Sequence, residues 1–250
     1  MFRMFKDAIA IVDSILKHQN LKKNKIKMSI YTDTFEPGFT YHVYNRAVGS
    51  EKLFFEDRNY FYFLEKLYKN TVGCMDIWAY CLLGNHFHLL MTVKDTSTTK
   101  DVSEAFRRFG ISYSQAINKQ EGRMGSLFMK PIKRVKITGE RHLKNLIVYI
   151  HTNPYLHGIS RDYRNYRWSS YQDFVGVTWK DPLTWKDSTW KDSITPSDGF
   201  LNPDEILNPS EGIFSHKEIL TKYFNDIDNF KYVHQKRAGF NDISGLIIEG

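Results

Sequence analysis

Two short apolar runs joined by a Gly-Asn pair constrain the fold of this chain more than any other feature. Residues 77–83 and 86–93 each have the length and composition of a β-strand. Between them, Gly84-Asn85 is a pair typical of a two-residue turn. The sequence therefore predicts an antiparallel hairpin at the centre of the chain.

Further strands and helices are predicted on both sides of this hairpin. Residues 39–48 are aromatic and β-branched, and residues 132–137 alternate apolar with basic side chains, so both are predicted strands. Three segments carry apolar residues at helical spacing: 60–68, 103–119 and 139–152. A cap near Ser103 is expected to start the second helix, and the third is expected to end before Pro154.

The order of these elements predicts the fold class. It reads strand, helix, strand, strand, helix, strand, helix, and its first six elements match the split β-α-β-β-α-β arrangement. We therefore predict an α+β protein with a ferredoxin-like antiparallel sheet, followed by a third helix. Because this fold hosts many functions, the function has to be argued from a site.

The chain divides into three predicted zones. Residues 1–36 form an N-terminal extension, in which a short amphipathic helix is followed by a lysine-rich stretch that is either a solvated tail or a basic arm on DNA. Residues 37–176 contain the predicted fold. Residues 177–250 form a C-terminal extension with a threefold Trp-Lys-Asp repeat, interpreted as a duplicated loop, and with short helices.

Composition excludes several classes of protein. The hydrophobic fraction of 42% and the charged fraction of 25% are typical of a globular protein. Only two cysteines are present, Cys74 and Cys81, which excludes a disulfide scaffold and a multi-cysteine zinc module and fits a reducing cytoplasm. No apolar run is long enough to cross a bilayer, so no membrane partner is expected. The net charge of +7 weakly favours a polyanionic partner.

Candidate chemistry concentrates at the start of the second hairpin strand. His86 and His88 are two residues apart, so on a strand they project from the same face, with Cα atoms about 6.5 to 7 Å apart. Phe87 projects from the other face, which suits the core. Two imidazoles on one face can bind the same divalent ion, although two ordinary histidines at a strand start remain the alternative until a partner is found.

The helix predicted over 139–152 offers that partner. Tyr149 and Asn153 are four residues apart and share a helix face if the last turn holds. The amide oxygen of Asn153 is a hard ligand that would complete a two-histidine site for Mg²⁺ or Mn²⁺. A tyrosine beside such an ion would be a nucleophile. The chain has 15 tyrosines, however, and spacing alone does not select Tyr149 over a rival such as Tyr113.

Basic side chains near the predicted site are candidate contacts to DNA phosphates. They are Arg107, Arg108, Lys130, Lys133, Arg134 and Lys136. Asn45 and Arg46 end the first predicted strand, and each can either read a base or hold the scissile phosphate. An ordinary solvated surface is the alternative for each of the six basic residues named first.

Four segments resemble, in order, the signatures of the single-tyrosine HUH transposases, most closely the REP-associated tyrosine transposases (RAYT). The segments are Tyr41-His42-Val43-Tyr44-Asn45-Arg46, Cys81-Leu82-Leu83-Gly84-Asn85-His86-Phe87-His88-Leu89-Leu90, Tyr149-Ile150-His151-Thr152-Asn153-Pro154 and Trp168-Ser169-Ser170-Tyr171. The resemblance covers residues 37–176. It departs from the family at Leu83-Gly84, where many members have Met-Pro, and this change is expected to alter the turn rather than the ligands.

The resemblance implies a specific chemistry. In such enzymes two histidines hold a metal ion on the scissile phosphate of single-stranded DNA. The tyrosine attacks this phosphate and keeps it as a 5′-phosphotyrosine, which frees a 3′ hydroxyl. Carried onto this chain, His86 and His88 are metal ligands, Tyr149 is the nucleophile, and Asn153 takes the position of a third ligand.

The implied protein is a metal-dependent DNA transposase of a mobile element, acting on single-stranded or hairpin DNA at the element ends. The expected location is the cytoplasm, at nucleoid DNA, and either a monomer or a homodimer that shares its tyrosine helix satisfies the scheme. A covalent intermediate keeps the bond energy, so rejoining needs no ATP, and the sequence has no Gly-x-x-x-x-Gly-Lys phosphate loop.

Two alternatives belong to other functional classes. A non-catalytic single-stranded nucleic-acid-binding protein on the same fold would stack bases on the aromatic side chains of its sheet. A metal-dependent hydrolase would use an activated water in place of the tyrosine. Convergence of His86, His88 and the Tyr149 hydroxyl on one ion-sized space separates the transposase from the non-catalytic binder.

Overall fold

A computed structural model describes residues 33–176 and 219–238 of the chain. Four strands form one antiparallel sheet in the order β2-β3-β1-β4: β1 (Thr40–Arg46), β2 (Met75–Leu83), β3 (His86–Val93) and β4 (Lys133–Lys136). Helix α1 (Asp57–Thr71) follows β1, and helix α2 (Thr99–Gln120) follows β3. The predicted α+β class and its β-α-β-β-α-β succession are confirmed.

Both faces of the sheet are covered by helices. Helices α1 and α2 pack on one face, around a core that includes Phe63, Phe87 and Tyr113. Helix α3 (Glu140–Leu156) packs on the other face, where Ile147 and Leu90 belong to a second core. Because side chains alternate along β3, Phe87 points toward α1 and α2, while the two histidines of β3 point toward α3.

Two helix boundaries differ from the prediction. Helix α2 begins at Thr99, because Thr98 and Asp101 form a capping box that starts the helix one turn before Ser103. Helix α3 continues through Pro154, where the prediction ended it. A proline in the last turn removes only one hydrogen bond, and the backbone N–H of His157 still donates to the Asn153 carbonyl at 2.9 Å. The last helical turn therefore holds, and it keeps Asn153 in helical register.

The folded core begins slightly before residue 37. Phe35 is 1% exposed and stacks on Phe106, with ring centroids 5.7 Å apart. The carboxylate of Asp33 accepts a hydrogen bond from the backbone N–H of Lys136 at 2.7 Å, which ties this segment to β4. The predicted N-terminal helix and the Trp-Lys-Asp repeat lie outside the described residues.

Segments that follow α3 in the chain pack back on this helix, which carries Tyr149. A 3₁₀ turn (Tyr163–Asn165) and the short helix α4 (Tyr171–Phe174) follow α3. Residues 219–238 contain a π-helical turn (Leu220–Phe224) and helix α5 (Ile227–Ala238), which contacts α3. Within residues 33–176 and 219–238, no helix combines the length and apolar character needed to cross a membrane.

A buried chain of hydrogen bonds joins α5 to α3. The Phe230 carbonyl can only accept, so His234 donates to it from Nδ1 at 2.8 Å. His234 Nε2 then accepts from His151 Nδ1 at 3.0 Å, and His151 Nε2 accepts from the Ser170 hydroxyl at 2.9 Å. Each bond thus has one consistent direction. His151 therefore faces α5, away from Tyr149.

His234 makes the stability of the fold dependent on pH. Burial lowers its pKa to about 3, whereas an unfolded histidine titrates near about 6.5. Between these values the unfolded chain binds a proton that the folded chain does not. The contribution of His234 to stability is therefore present in full above about pH 6.5 and is lost at about 1.4 kcal/mol per pH unit as the pH falls below that value.

We expect His234→Gln to reduce this pH dependence. Glutamine does not titrate, so the fall in unfolding free energy between pH 7 and pH 5 should be smaller than in the wild type by about 2 kcal/mol. Urea denaturation of both proteins at the two pH values measures the difference, which is separate from the cost of the substitution itself. An equal fall in the two proteins would contradict the assignment.

Candidate active site

Strand β3 positions two histidines directly after the hairpin turn. The turn is held by its neighbours, since the Gly84 carbonyl accepts from the Leu53 backbone N–H at 2.9 Å and the Asn85 carbonyl accepts from that of Ala47 at 2.8 Å. The rings of His86 and His88 lie on the same face, with centroids 5.3 Å apart. His86 is half-buried and His88 is 1% exposed.

Each of these histidines has a hydrogen-bonding partner at Nδ1. His86 Nδ1 lies 2.7 Å from Asn85 Oδ1. An amide oxygen only accepts, so His86 carries its proton on Nδ1 and keeps a lone pair on Nε2. His88 Nδ1 lies 3.0 Å from Nε2 of His42, a residue of β1.

Burial keeps two of these imidazoles neutral. It lowers the pKa of His88 well below the usual value, and the neighbouring His42 lowers it further. Burial also lowers the pKa of His42 to about 3. Neutral imidazole is the form that binds metal ions. His88 Nε2 is buried and has no hydrogen-bond partner, so it is a candidate ligand atom.

Helix α3 and its C-cap residue place three polar side chains opposite the histidines. Tyr149, Asn153 and His157 follow at four-residue intervals and share one helix face. The ring of Tyr149 lies 5.5 Å from that of His88, and the ring of His157 lies 5.0 Å from that of His86. These three side chains therefore lie alongside β3, with Asn153 one helical turn from Tyr149 and one from His157.

Asn153 contributes a second buried lone-pair atom. Its Nδ2 donates to the Tyr149 carbonyl at 3.1 Å, while its Oδ1 is buried and has no hydrogen-bond partner. A buried acceptor without a partner costs about 1 to 3 kcal/mol, which a ligand at this position would offset. Amide oxygen is a donor that suits Mg²⁺ and Mn²⁺, and neutral imidazole nitrogen is a common ligand of metal ions in proteins.

The donor set is not built from ionisable side chains alone. In the described ranges, no three His, Cys, Asp or Glu side chains are grouped so that they could hold a metal ion. The candidate centre combines two histidines with an amide. Tyr149 is 4% exposed and His157 is exposed, so solvent reaches this site from the end formed by His86 and His157.

Two residues of this site had no predicted role. His42 belongs to the first resembling segment, but its approach to His88 depends on the pairing of β1 with β3, which is not visible locally. His157 was missed because the third helix was predicted to end before Pro154. Its spacing of four residues from Asn153 would have indicated a shared face in a helix that continues past Pro154.

Two of the predicted DNA-binding residues lie on the face of the sheet that carries the site. Arg46 pairs with His86 in the β1–β3 register and is exposed. Lys133 pairs with Tyr44 in the β1–β4 register, and its Nζ lies 5.7 Å from the centre of that ring. Lys130 is exposed in the segment that leads to β4.

Two other basic residues of β4 face away from the site, as the predicted alternation of 132–137 requires. The guanidinium of Arg134 lies over the ring of Phe35, 4.7 Å from its centre. Lys136 pairs with Glu36 at 3.1 Å. Neither side chain approaches the histidines.

The remaining candidates are placed away from the site, contrary to the expected cluster. Arg107 and Arg108 are exposed on α2, on the opposite side of the sheet, and Arg107 pairs with Glu104 at 2.7 Å. Asn45 is 8% exposed and donates to the Met129 carbonyl at 3.0 Å, so it holds the chain that enters β4. Sequence spacing assigned these residues to a helix or a strand, but it did not show on which side of the sheet their side chains would lie.

Comparison with known proteins supports this architecture. The chain is similar to the solved structure of a REP-associated tyrosine transposase bound to a REP hairpin, with a TM-score of 0.51 and 17% sequence identity. The match covers 60% of this chain and 87% of that chain. No family model and no curated protein matches the sequence. The likeness therefore concerns the fold, which this chain shares with a tyrosine transposase.

Proposed function

We propose that this protein is a metal-dependent DNA transposase that cleaves and rejoins single-stranded DNA through a 5′-phosphotyrosine intermediate. The observation that carries the proposal is the packing of Tyr149 against His88, with Asn153 one helical turn away. A nucleophile and two buried ligand atoms thus lie on facing elements of the same site.

A divalent ion fits the donors present. His86 and His88 would hold Mg²⁺ or Mn²⁺ through Nε2, and Asn153 through Oδ1. Two of these three atoms, His88 Nε2 and Asn153 Oδ1, are buried without a hydrogen-bond partner. When bound, such an ion supplies charge neutralisation at the non-bridging oxygens of the phosphate.

Tyr149 performs the covalent step. Its oxygen forms a bond to phosphorus and loses its proton, and the bond from phosphorus to the 3′ oxygen breaks. The 3′ oxygen takes up a proton and leaves as a hydroxyl. The reverse attack by a 3′ hydroxyl rejoins the strand.

Single-stranded or hairpin DNA is the proposed partner. Arg46 and Lys133 lie on the site face and would contact phosphates on either side of the scissile bond. The solved structure of similar fold holds a REP hairpin. The non-catalytic alternative has less support, because α3 covers the sheet face on which bases would otherwise stack.

An end-labelling experiment tests the covalent step and its polarity. The protein is incubated with single-stranded DNA from candidate element ends and Mn²⁺, then run on a denaturing gel. DNA labelled at its 3′ end should remain attached to the protein, whereas DNA labelled at its 5′ end should be released with a free 3′ hydroxyl. Cleavage without any adduct would favour a hydrolase, and an adduct that retains the 5′ label would refute the proposed polarity.

The placement of the basic residues leads to a prediction on DNA binding. We expect Arg46→Gln with Lys133→Gln to weaken single-strand binding by about 10-fold and to lower the salt slope by about 1.4, since each phosphate contact to single-stranded DNA contributes about 0.7. Arg107→Gln with Arg108→Gln removes the same charge from the far side of the sheet. This control pair should change affinity by less than about 2-fold.

Fluorescence anisotropy at several salt concentrations measures both effects. Because the two double variants have the same net charge, a difference between them reports position rather than overall electrostatics. Equal losses of affinity would show that DNA does not follow the site face of the sheet.

A further inference from the structure

We propose that His42 is a positioning residue, which accepts the Nδ1 proton of His88 and thereby keeps the Nε2 lone pair of His88 directed at the metal site. This inference rests on the proposed function, because it concerns the same site. It adds a residue of β1 to a centre otherwise built from β3 and α3.

The sheet brings the two imidazoles together. In the β1–β3 register Tyr44 lies opposite His88, and His42 lies two residues from Tyr44 on the same face. Such diagonal neighbours are about 7 to 8 Å apart at the backbone, within reach of ring side chains. The two rings lie with centroids 5.2 Å apart, and His42 Nε2 is 3.0 Å from His88 Nδ1.

One proton lies between these two nitrogens, so its position decides whether His88 can bind a metal. If His42 donated, His88 would carry its own proton on Nε2 and would have no lone pair there. If His88 donates, Nε2 is left as the ligand atom. Metal binding therefore selects the arrangement in which His42 accepts.

His86 has an equivalent partner in Asn85. The Asn85 amide oxygen, 2.7 Å from His86 Nδ1, can only accept, and it therefore enforces the same tautomer. Metal-binding histidines generally donate their second ring N–H to an acceptor that fixes the tautomer and the ring orientation. In this site Asn85 supplies that acceptor for one histidine, and we assign His42 to the other.

The surroundings of His42 fix its orientation. The ring of Tyr44 stacks on it at 4.8 Å, and the ring of Tyr149 meets it edge-on at 6.2 Å. His42 is 1% exposed, and its Nδ1 has no hydrogen-bond partner. Burying a half-satisfied imidazole costs free energy that an apolar side chain would avoid. Packing alone would therefore favour an apolar side chain at this position, whereas the hydrogen bond to His88 explains why a histidine is present.

Proton positions in the wild-type protein test the inference directly. In long-range ¹H–¹⁵N spectra of the full chain saturated with Mg²⁺, His88 should be protonated at Nδ1 and bare at Nε2. A proton on Nε2 of His88 in the Mg²⁺-bound protein would overturn the role of His42. If Mg²⁺ left the His88 signals unchanged, the metal assignment of the proposed function would fail, and this inference with it.

Two variants of His42 separate positioning from packing. His42→Phe keeps a ring and removes the acceptor, whereas His42→Gln keeps an acceptor oxygen. In Mn²⁺ titrations followed by electron paramagnetic resonance, His42→Phe should bind Mn²⁺ about 10- to 100-fold more weakly than the wild type. His42→Gln should stay within about 3-fold of the wild type, because its amide oxygen can still accept.

The rate of adduct formation gives an independent readout. For His42→Phe it should rise with Mn²⁺ concentration toward the wild-type maximum, since the nucleophile is untouched and only metal occupancy is reduced. Wild-type Mn²⁺ affinity in His42→Phe, with affinity lost in His88→Ala, would overturn this inference alone. Wild-type affinity in His88→Ala would overturn the proposed metal site itself.

Discussion

Tyr149→Phe is expected to abolish both strand cleavage and the covalent DNA adduct while the protein remains folded and binds single-stranded DNA. The substitution removes one oxygen and keeps the ring, which packs 5.5 Å from His88 and 6.2 Å from His42. Loss of the nucleophile should lower the rate of adduct formation by at least about 10⁴-fold. Denaturing gels measure the adduct, and fluorescence anisotropy measures the retained binding.

Tyr113→Phe is the matched control, because Tyr113 was the main rival in the sequence. It lies on α2, across the sheet from the site, is 0% exposed, and its hydroxyl donates to the Leu53 carbonyl at 2.8 Å. Removing that hydroxyl should cost about 1 to 2 kcal/mol of stability and leave cleavage intact. A DNA-linked peptide that contains Tyr113 and lacks Tyr149 would refute the assignment of the nucleophile.

The parts of the site that the sequence could predict follow from local geometry. His86 and His88 share a face because the strand repeats every two residues, and the Gly84-Asn85 turn fixes where that strand begins. Tyr149 and Asn153 share a face because the helix repeats every 3.6 residues. Such relations involve residues only a few positions apart in one strand or helix, so the sequence pattern is enough to predict them.

The parts that could not be predicted depend on contacts between distant segments. His42 meets His88 across 46 residues of sequence, through strand pairing. Arg107 and Arg108 lie on the far side of the sheet because α2 packs beside α1, which their spacing does not reveal. The sequence predicts a helix end before Pro154, but packing against the sheet and against α5 outweighs the one hydrogen bond that the proline removes.

His86→Ala and His88→Ala are each expected to abolish cleavage and to retain most single-strand DNA binding. Binding depends on phosphate contacts from residues such as Arg46 and Lys133, which do not require the metal ion. Each variant should lower the rate of adduct formation by at least about 10³-fold, because charge on the scissile phosphate is no longer neutralised. Adduct formation across a Mn²⁺ titration measures the loss.

The two variants should differ in stability, and this difference tests the geometry of the site. His88 is 1% exposed and bonds to His42, so its removal leaves a buried nitrogen unpaired and should cost about 2 to 4 kcal/mol in urea denaturation. His86 is half-buried, so His86→Ala should cost only about 1 kcal/mol of stability.

His157→Ala is the control for cleavage. The ring of His157, at the end of the facing helix, lies 5.0 Å from that of His86, but His157 is not a proposed ligand. This variant should therefore still form the adduct. Near wild-type cleavage by either ligand variant in the Mn²⁺ titration would show that the metal site lies elsewhere.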